Sequence, residues 1–345
     1  MKYRDAGVDV ARADAMKDRL GRAVRATWGP AVVPLASGFA GVTAWPAADA
    51  GAESLLLAAT MDGVGTKLHL ALAAGRIGDA AADLVRHGAN DLLVHGARPL
   101  AVLDYVAQSR LDAGVVEAVV AGLARACGEV GAALLGGETA EMPDTYLPGV
   151  VDVAACMIGT VSRARLLDGS RVRAGDVVLG LGSDGLHTNG YSLARTVLRS
   201  SGRGLDDPLP GGDGTIGDAL LAPHRAYGAA LEPLLARGLV HALAHVTGGG
   251  LAGNLVRVLP PGLGARVAAG AWPRPAVFRW LIEAGGIPED DARQAFNLGV
   301  GMVVVCARER AGEVEAALAA ANESVWRLGE IVAGPHGVAW TEGDA

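Results

Sequence analysis

Three observations predict a two-domain α/β fold for this chain. Its 345 residues suffice for two ordinary domains and a large core. Strand-like and helix-like segments alternate through the first half in a βαβαβ order. Near residue 167 the turn-rich stretch "LLDGSRVRAGD" ends that pattern, and a new strand-turn-helix unit begins at Val177. The expected domains are therefore 1–166 and 167–345.

The elements follow in order. Residues 31–45, "AVVPLASGFAGVTAW", are rich in Gly, Ala and Ser and read as a mobile loop. "SLLLAAT" (54–60) is a buried strand candidate. "DAAADLVRHGANDLLVHGARP" places Leu84, Gly88, Asp91 and His95 at helical spacing, with Gly96 and Pro99 as stop signals. "LAVLDYVA" (100–107) is a strand, and the amphipathic stretch that follows is a helix ended by Gly131. "AALLGGETAEMP" reads as a short strand entering a polar turn, and "VDVAACMIGTV" (151–161) as another strand. In the second half, "SSGRGLDDPLPGGDGTIGD" is a long surface loop and "GVGMVVVCA" (299–307) a buried strand.

Composition excludes several classes. The net charge is -7 and no basic block is present, which argues against a general nucleic-acid surface. No apolar run approaches the roughly 18 residues of a membrane span, and the first residues, "MKYRDAGVDVARAD", carry no secretory h-region. Cys127, Cys156 and Cys306 lie far apart in apolar contexts and read as buried free thiols. A reducing cytoplasm is the expected compartment.

The chemistry concentrates in polar turns. In "MDGVGTK" (61–67), the glycines permit positive φ and a concave row of N–H groups suited to anionic oxygen. Asp62 offers a hard carboxylate for Mg²⁺ and Lys67 a point charge for phosphate. A lone Asp-Gly turn is more often a solvated hairpin, so the motif needs company. Asp91 in "AND", Glu138 and Glu141 in "GGETAEMP", and Asp104 inside an apolar strand supply it. Asp104 in particular needs a partner, because it sits between Leu103 and Tyr105 in an apolar strand. "GLGSDG" (180–185) matches a dinucleotide fingerprint, but "LHTNG" delays the helix to Tyr191 and no acid-ended strand follows about 20 residues on. It remains an anion-suited loop with Ser183, Asp184, His187, Thr188 and Asn189, and "HVTGGG" (245–250) is a third. No P-loop occurs. Three such loops with several carboxylates suggest two phosphorylated ligands and a metal.

In this order the motifs resemble the phosphoribosylformylglycinamidine cyclo-ligase (aminoimidazole ribonucleotide synthetase) family. "YRDAGVDV", "DGVGTKL", "GGETAEMP", "LHTNGYSL", "HVTGGG" and "FNLGVGM" carry the resemblance over nearly the whole chain. It implies a ligase of purine biosynthesis that closes the imidazole ring of formylglycinamidine ribonucleotide with ATP, Mg²⁺ and K⁺. It implies a homodimer whose N-terminal sheets share a barrel, and no nucleic-acid or membrane partner. By the same resemblance Asp62, Asp91 and Glu138 are metal ligands. Gly38, Gly41, Gly63, Gly65, Thr66, Lys67, Gly136 and Gly137 are nucleotide contacts. Ser183, His187, Thr188, Asn189, Thr247 and Gly248 are substrate contacts. Asp62, Lys67, Asp91 and His187 form the catalytic set, with His187 as a proton carrier because an unperturbed imidazole titrates near neutrality. The chain departs from the family at Arg86 and His87, where small or apolar residues are common, at Arg98, where an acid is usual, and in "SGFAG". The competing readings are a thiamine monophosphate kinase-like or selenophosphate synthetase-like relative, or an inactive nucleotide-binding homologue. The first Cys, Cys127, lies far from the N-terminal position a selenophosphate synthetase needs.

Overall fold

The computed structural model describes residues 25–35, 39–44 and 55–342. The motif "YRDAGVDV" and the nucleotide candidate Gly38 lie outside the described residues.

Six strands of the first half form one sheet: β1 (Val32–Val33), β2 (Gly41–Ala44), β3 (Leu55–Gly63), β4 (Arg98–Gln108), β5 (Ala133–Glu141) and β6 (Val151–Ser162). Their spatial order is β1-β2-β3-β6-β4-β5, antiparallel except for the parallel β4/β5 pair at one edge. Part of the expected loop 31–45 is thus strand: Val42 and Thr43 pair with β3, and Val42 is buried. The β-branched residues, rather than the glycines around them, decide the local structure.

A second sheet holds β7 (Val177–Gly182), β8 (Ala242–His245), β9 (Leu263–Ala268), β10 (Val300–Cys306), β11 (Val325–Ala333) and β12 (Val338–Thr341), in the order β12-β9-β11-β7-β10-β8. β7 and β10 are neighbours inside it, and both are buried throughout, as their unbroken apolar runs require.

The helices Ile77–Leu93 and Ala113–Val130 cover one face of the first sheet. They cross where a Cβ on Gly122 would stand 1.9 Å from the Gly78 carbonyl oxygen, so only glycine fits. The helix Ala113–Val130 starts on Asp112, whose side chain accepts from the Val115 N–H, and stops at Gly131 in the left-handed region. The same core continues into the second half, where Leu193, Val197, Phe278 and Leu281 join Leu84 and Val85. No helix among the described residues is long and apolar enough to cross a membrane.

Strand β3 presents two faces. Leu56 and Ala58 are fully buried toward the helices, while Leu55 and Met61 on the other face are 43% and 69% exposed. Leu103 on β4 and Leu135 on β5 are exposed as well. The uncovered face of this sheet is therefore apolar. Cys127 and Cys306 are buried thiols, whereas Cys156, on β6, is only partly covered.

Candidate active site

The site lies where the end of β3 and the helix Ile77–Leu93 meet the loops that follow β7 and β8. Asp62 lies at the end of β3 half exposed, with its carboxylate accepting from the Gly63 N–H at 2.7 Å and from His87 Nε2 at 2.9 Å. Asp91 lies one helical turn beyond His87, and its Oδ2 is 3.5 Å from the same Nε2. Asp91 Oδ1 is 2.8 Å from His245 Nδ1. One imidazole thus bridges two carboxylates. Burial pushes the His87 pKa down, but Asp91 and Asp62 outweigh it and raise it to about 10. Burial pushes the Asp91 carboxyl up, and His87 and His245 more than reverse this, leaving it well below the usual carboxylate range.

Four buried histidines cluster here. His87 Nδ1 is 2.7 Å from Thr188 Oγ1. His187 stacks on His224 with ring centroids 4.1 Å apart. His224 Nε2 lies 3.1 Å from His245 Nε2. Burial, with cationic or imidazole neighbours, holds His187 and His224 well below the ordinary histidine range. Burial thus favours the neutral form of His187 and moves it away from the near-neutral titration expected of it. Its φ of 59° is maintained by close packing, since a Cβ on Gly301 would meet Tyr227 Oη at 2.1 Å and His187 Cε1 at 2.5 Å. The second glycine of "FNLGVGM" is needed for this fit.

Lys67 differs from expectation too. It is 1% exposed, and its ammonium donates to Asp83 Oδ2 at 2.5 Å, to the His187 carbonyl at 2.9 Å and to the Ala222 carbonyl at 3.3 Å. Asp83 Oδ1 in turn accepts from Arg86 and from the His224 N–H. Lys67 therefore ties the loops at 187 and 222 to the first domain, and its charge is directed at Asp83 instead of facing a phosphate. Arg86, a departure from the family pattern, extends the pair to Glu129. Arg98, another departure, forms an ion pair with Glu232.

The remaining candidates divide. Gly65 has a φ of 68°, and Thr66 Oγ1 lies 3.3 Å from Ser192 Oγ, so the first turn does abut the second loop. Ser183 donates to Asn297 Oδ1. Asn189 Oδ1 would stand 3.4 Å from a Cβ on Gly248, which places the second and third loops side by side. Thr247 Oγ1 donates to Asn254, whose amide nitrogen caps the Thr247, Gly248 and Gly250 carbonyls. Gly41 lies within β2, beside a cleft of about 560 Å³ lined by Trp28, Val33, Leu35, Phe39, Thr60 and Met61.

Gly136, Gly137 and Glu138 are not a turn. They lie inside β5, because pairing with β4 continues through Glu141. Asp62 aligns across the sheet with Ala155, Asp104 and then Gly137. Three strand spacings, about 14 Å, therefore separate the row of Glu138 from Asp62. Within this chain Glu138 lies too far from Asp62 and Asp91 to share an ion with them, which corrects the three-carboxylate expectation. Burial raises the Asp104 pKa, and Gly137 leaves room for its carboxylate, which any Cβ there would strike.

Sequence reasoning missed Asp83, Asn90, His224, His245, Asn254 and Asn297 as members. Asn90 was visible in "AND": its amide donates to the Arg225 carbonyl and accepts from the Tyr227 N–H. His224, alone in a loop, gave no signal.

Two α/β layers joined by glycine-bearing loops over a carboxylate–imidazole cluster define the class. The family model for the N-terminal domain of AIR synthase related proteins matches residues 46–161, and that for their C-terminal domain matches residues 173–341. A phosphoribosylformylglycinamidine cyclo-ligase from Sorangium cellulosum (strain So ce56) is 47% identical over 333 residues, covering 96% of this chain and 95% of the relative. This chain belongs to the phosphoribosylformylglycinamidine cyclo-ligase family. Among solved structures the fold is similar to that of tt0281 from Thermus thermophilus (23% identity, TM-score 0.64, 94% of this chain and 95% of that one). It is also similar to AaThiL complexed with AMPPCP and TMP (14% identity, TM-score 0.63, 96% and 93%).

Proposed function

We propose that this chain uses ATP to close formylglycinamidine ribonucleotide into 5-aminoimidazole ribonucleotide, releasing ADP and phosphate. The near full-length identity to a cyclo-ligase carries this reading. A formamide oxygen is a poor leaving group. Transfer of the γ-phosphoryl group to it creates a phosphate leaving group, and a nitrogen of the same molecule attacks the adjacent carbon. Attack within one bound molecule avoids the entropy of a second encounter.

The residues divide this work. Asp62 and Asp91 would hold Mg²⁺: their carboxylates come together beside His87 Nε2, and hard oxygens suit that ion. When bound, Mg²⁺ neutralises phosphoryl charge. The cleft along β1–β3 ends at Thr60 and Met61, next to Asp62, and its apolar walls suit a purine base. Ser183, Thr188, Asn189, Thr247 and Gly248 are the contacts for the ribonucleotide. Lys67 and His187 position the loops: Lys67 holds the His187 and Ala222 carbonyls, and His187 stacks on His224. K⁺ use and a cytoplasmic location belong to this reading through the family. So does a homodimer, supported by the apolar uncovered face at Leu55, Met61, Leu103 and Leu135.

The test is a coupled assay with purified protein, ATP and formylglycinamidine ribonucleotide, detecting the aminoimidazole product. ADP release with thiamine monophosphate, and none with the ribonucleotide, would overturn the reading.

A further inference from the structure

We propose that His87, His224 and His245 form a site for one divalent transition-metal ion of the zinc class, separate in chemistry from the oxygen ligands of Mg²⁺. All three are buried, and each brings a ring nitrogen within 4.8 Å of the others. The His224 and His245 Nε2 atoms are 3.1 Å apart. Two nitrogens on a tetrahedral zinc, each about 2.0–2.1 Å from the metal, stand about 3.3–3.4 Å apart. The imidazoles are thus already close to the spacing that a shared ion requires.

The hydrogen bonds around these two nitrogens set where their protons and lone pairs lie. His245 Nδ1 lies 2.8 Å from Asp91 Oδ1, so it carries the proton and leaves Nε2 with a lone pair. Asn90 has a fixed orientation, because its oxygen accepts from the Tyr227 N–H and its nitrogen donates to the Arg225 carbonyl. That same amide nitrogen is 3.2 Å from His224 Nε2 and needs a lone pair there as well. Two lone pairs then face each other. His224 Nδ1 is buried and has no hydrogen-bond partner among the described residues. A cation bound by the two Nε2 atoms relieves the conflict, with Asn90 keeping its bond to the Arg225 carbonyl and giving up its contact to His224.

The surroundings suit a metal of that class. The Asp91–His245 contact is the carboxylate–histidine arrangement that orients a metal-bound imidazole. Nitrogen donors select zinc, cobalt, nickel or copper over magnesium. His87 exchanges one of its two hydrogen bonds, to Asp62 or to Thr188, for a metal bond. The charge of the ion then serves Asp62 and Asp91 in place of the His87 proton, which is released. Half-exposed Asp62 marks the entry path.

Metal uptake is read without substrate, so it stands or falls separately from cyclisation. The full chain, free of tags and stripped with chelator, is titrated with Co²⁺ and then Zn²⁺. One equivalent of Co²⁺ with visible d–d absorption is expected. One equivalent of Zn²⁺ should displace it, and a large excess of Mg²⁺ should not. X-ray absorption of the zinc-loaded protein should count three imidazoles. His224→Asn should weaken zinc binding at least ~100-fold, and Asp91→Asn, which removes the carboxylate behind His245, about 10–100-fold. No stoichiometric uptake, displacement by Mg²⁺, or fewer than three imidazoles on the metal overturns the proposal. The spectroscopic arms use the wild-type protein, so a variant that fails to fold leaves the test intact.

Discussion

His87 Nε2 stands 2.9 Å from Asp62 Oδ2 and 3.5 Å from Asp91 Oδ2, so one imidazole occupies the point at which both carboxylates aim. Removing that competing cation in His87→Ala should lower the Mg²⁺ concentration needed for half-saturation by several-fold to about tenfold, the scale of one lost charge contact at a few ångströms. Calorimetric Mg²⁺ titration with a nucleotide analogue measures it. An unchanged or higher Mg²⁺ requirement would place the ion elsewhere.

The same contact predicts a pH dependence. The pKa of His87 is raised from 6.5 to about 10 in the folded chain, so folding favours its protonated form. That contribution is complete below the unfolded pKa and is lost as pH rises through the folded one. The difference in unfolding free energy between wild type and His87→Ala should therefore be largest near pH 6 and shrink toward pH 10. Urea titrations across that range suffice, and a difference that grows with pH would contradict the bridge.

Lys67 and Asp83, each 1% exposed, form a buried ion pair within the first domain, and Lys67 also donates to the His187 and Ala222 carbonyls of the second. Lys67→Met leaves a buried carboxylate with Arg86 as its one charged partner among the described residues. The expected cost is about 3–5 kcal/mol of stability, typical of breaking such a pair. Adding Asp83→Leu should restore part of it. If Lys67→Met keeps wild-type stability while abolishing turnover, Lys67 faces phosphate in the working enzyme after all.

The uncovered face of the first sheet gives an association test. Met61→Lys and Leu135→Lys place charge where the apolar residues of β3 and β5 are 69% and 67% exposed. Light scattering should show a dimer for wild type and a shift toward monomer for the double variant. Cys156 on this sheet should then react faster with a thiol reagent, while Cys306, whose thiol burial pushes up to about 12, stays inert. A monomeric wild type would remove the proposed dimer.

Strands and helices of the first half are legible in the sequence because their periodicity is clean: β6 alternates buried and half-buried residues along its whole length. The misreadings share a cause. Glycine signals a turn in "SGFAGVT" and "GGETAE", yet Gly41 and Gly137 sit in ladders, the latter because Asp104 needs the space. In the site, Asp62 and Asp91 are visible as acids in motifs. The partner of Lys67 is not, since Asp83 lies sixteen residues away on another helix and looks like any surface acid. Nor is the histidine cluster, whose members come from positions 87, 187, 224 and 245 and meet only when the two sheets are docked.

Asp62→Asn separates a turn residue from a working carboxylate. Asp62 lies at the end of β3 half exposed, and its Oδ1 accepts from the Gly63 N–H while its Oδ2 faces His87. Asn preserves the first contact and the local geometry, because both residues favour such positions. It removes the charge that Mg²⁺-ATP requires. Melting temperature and dimerisation should therefore stay close to wild type, and turnover should fall at least ~100-fold, as when one charge-stabilising group is deleted. Because His87 also loses a negative neighbour, its folded pKa should fall, which titration of its ring signals by NMR detects. Near-normal turnover at saturating Mg²⁺-ATP together with an unshifted His87 would show that this carboxylate only closes the strand, and the metal site would then rest on Asp91.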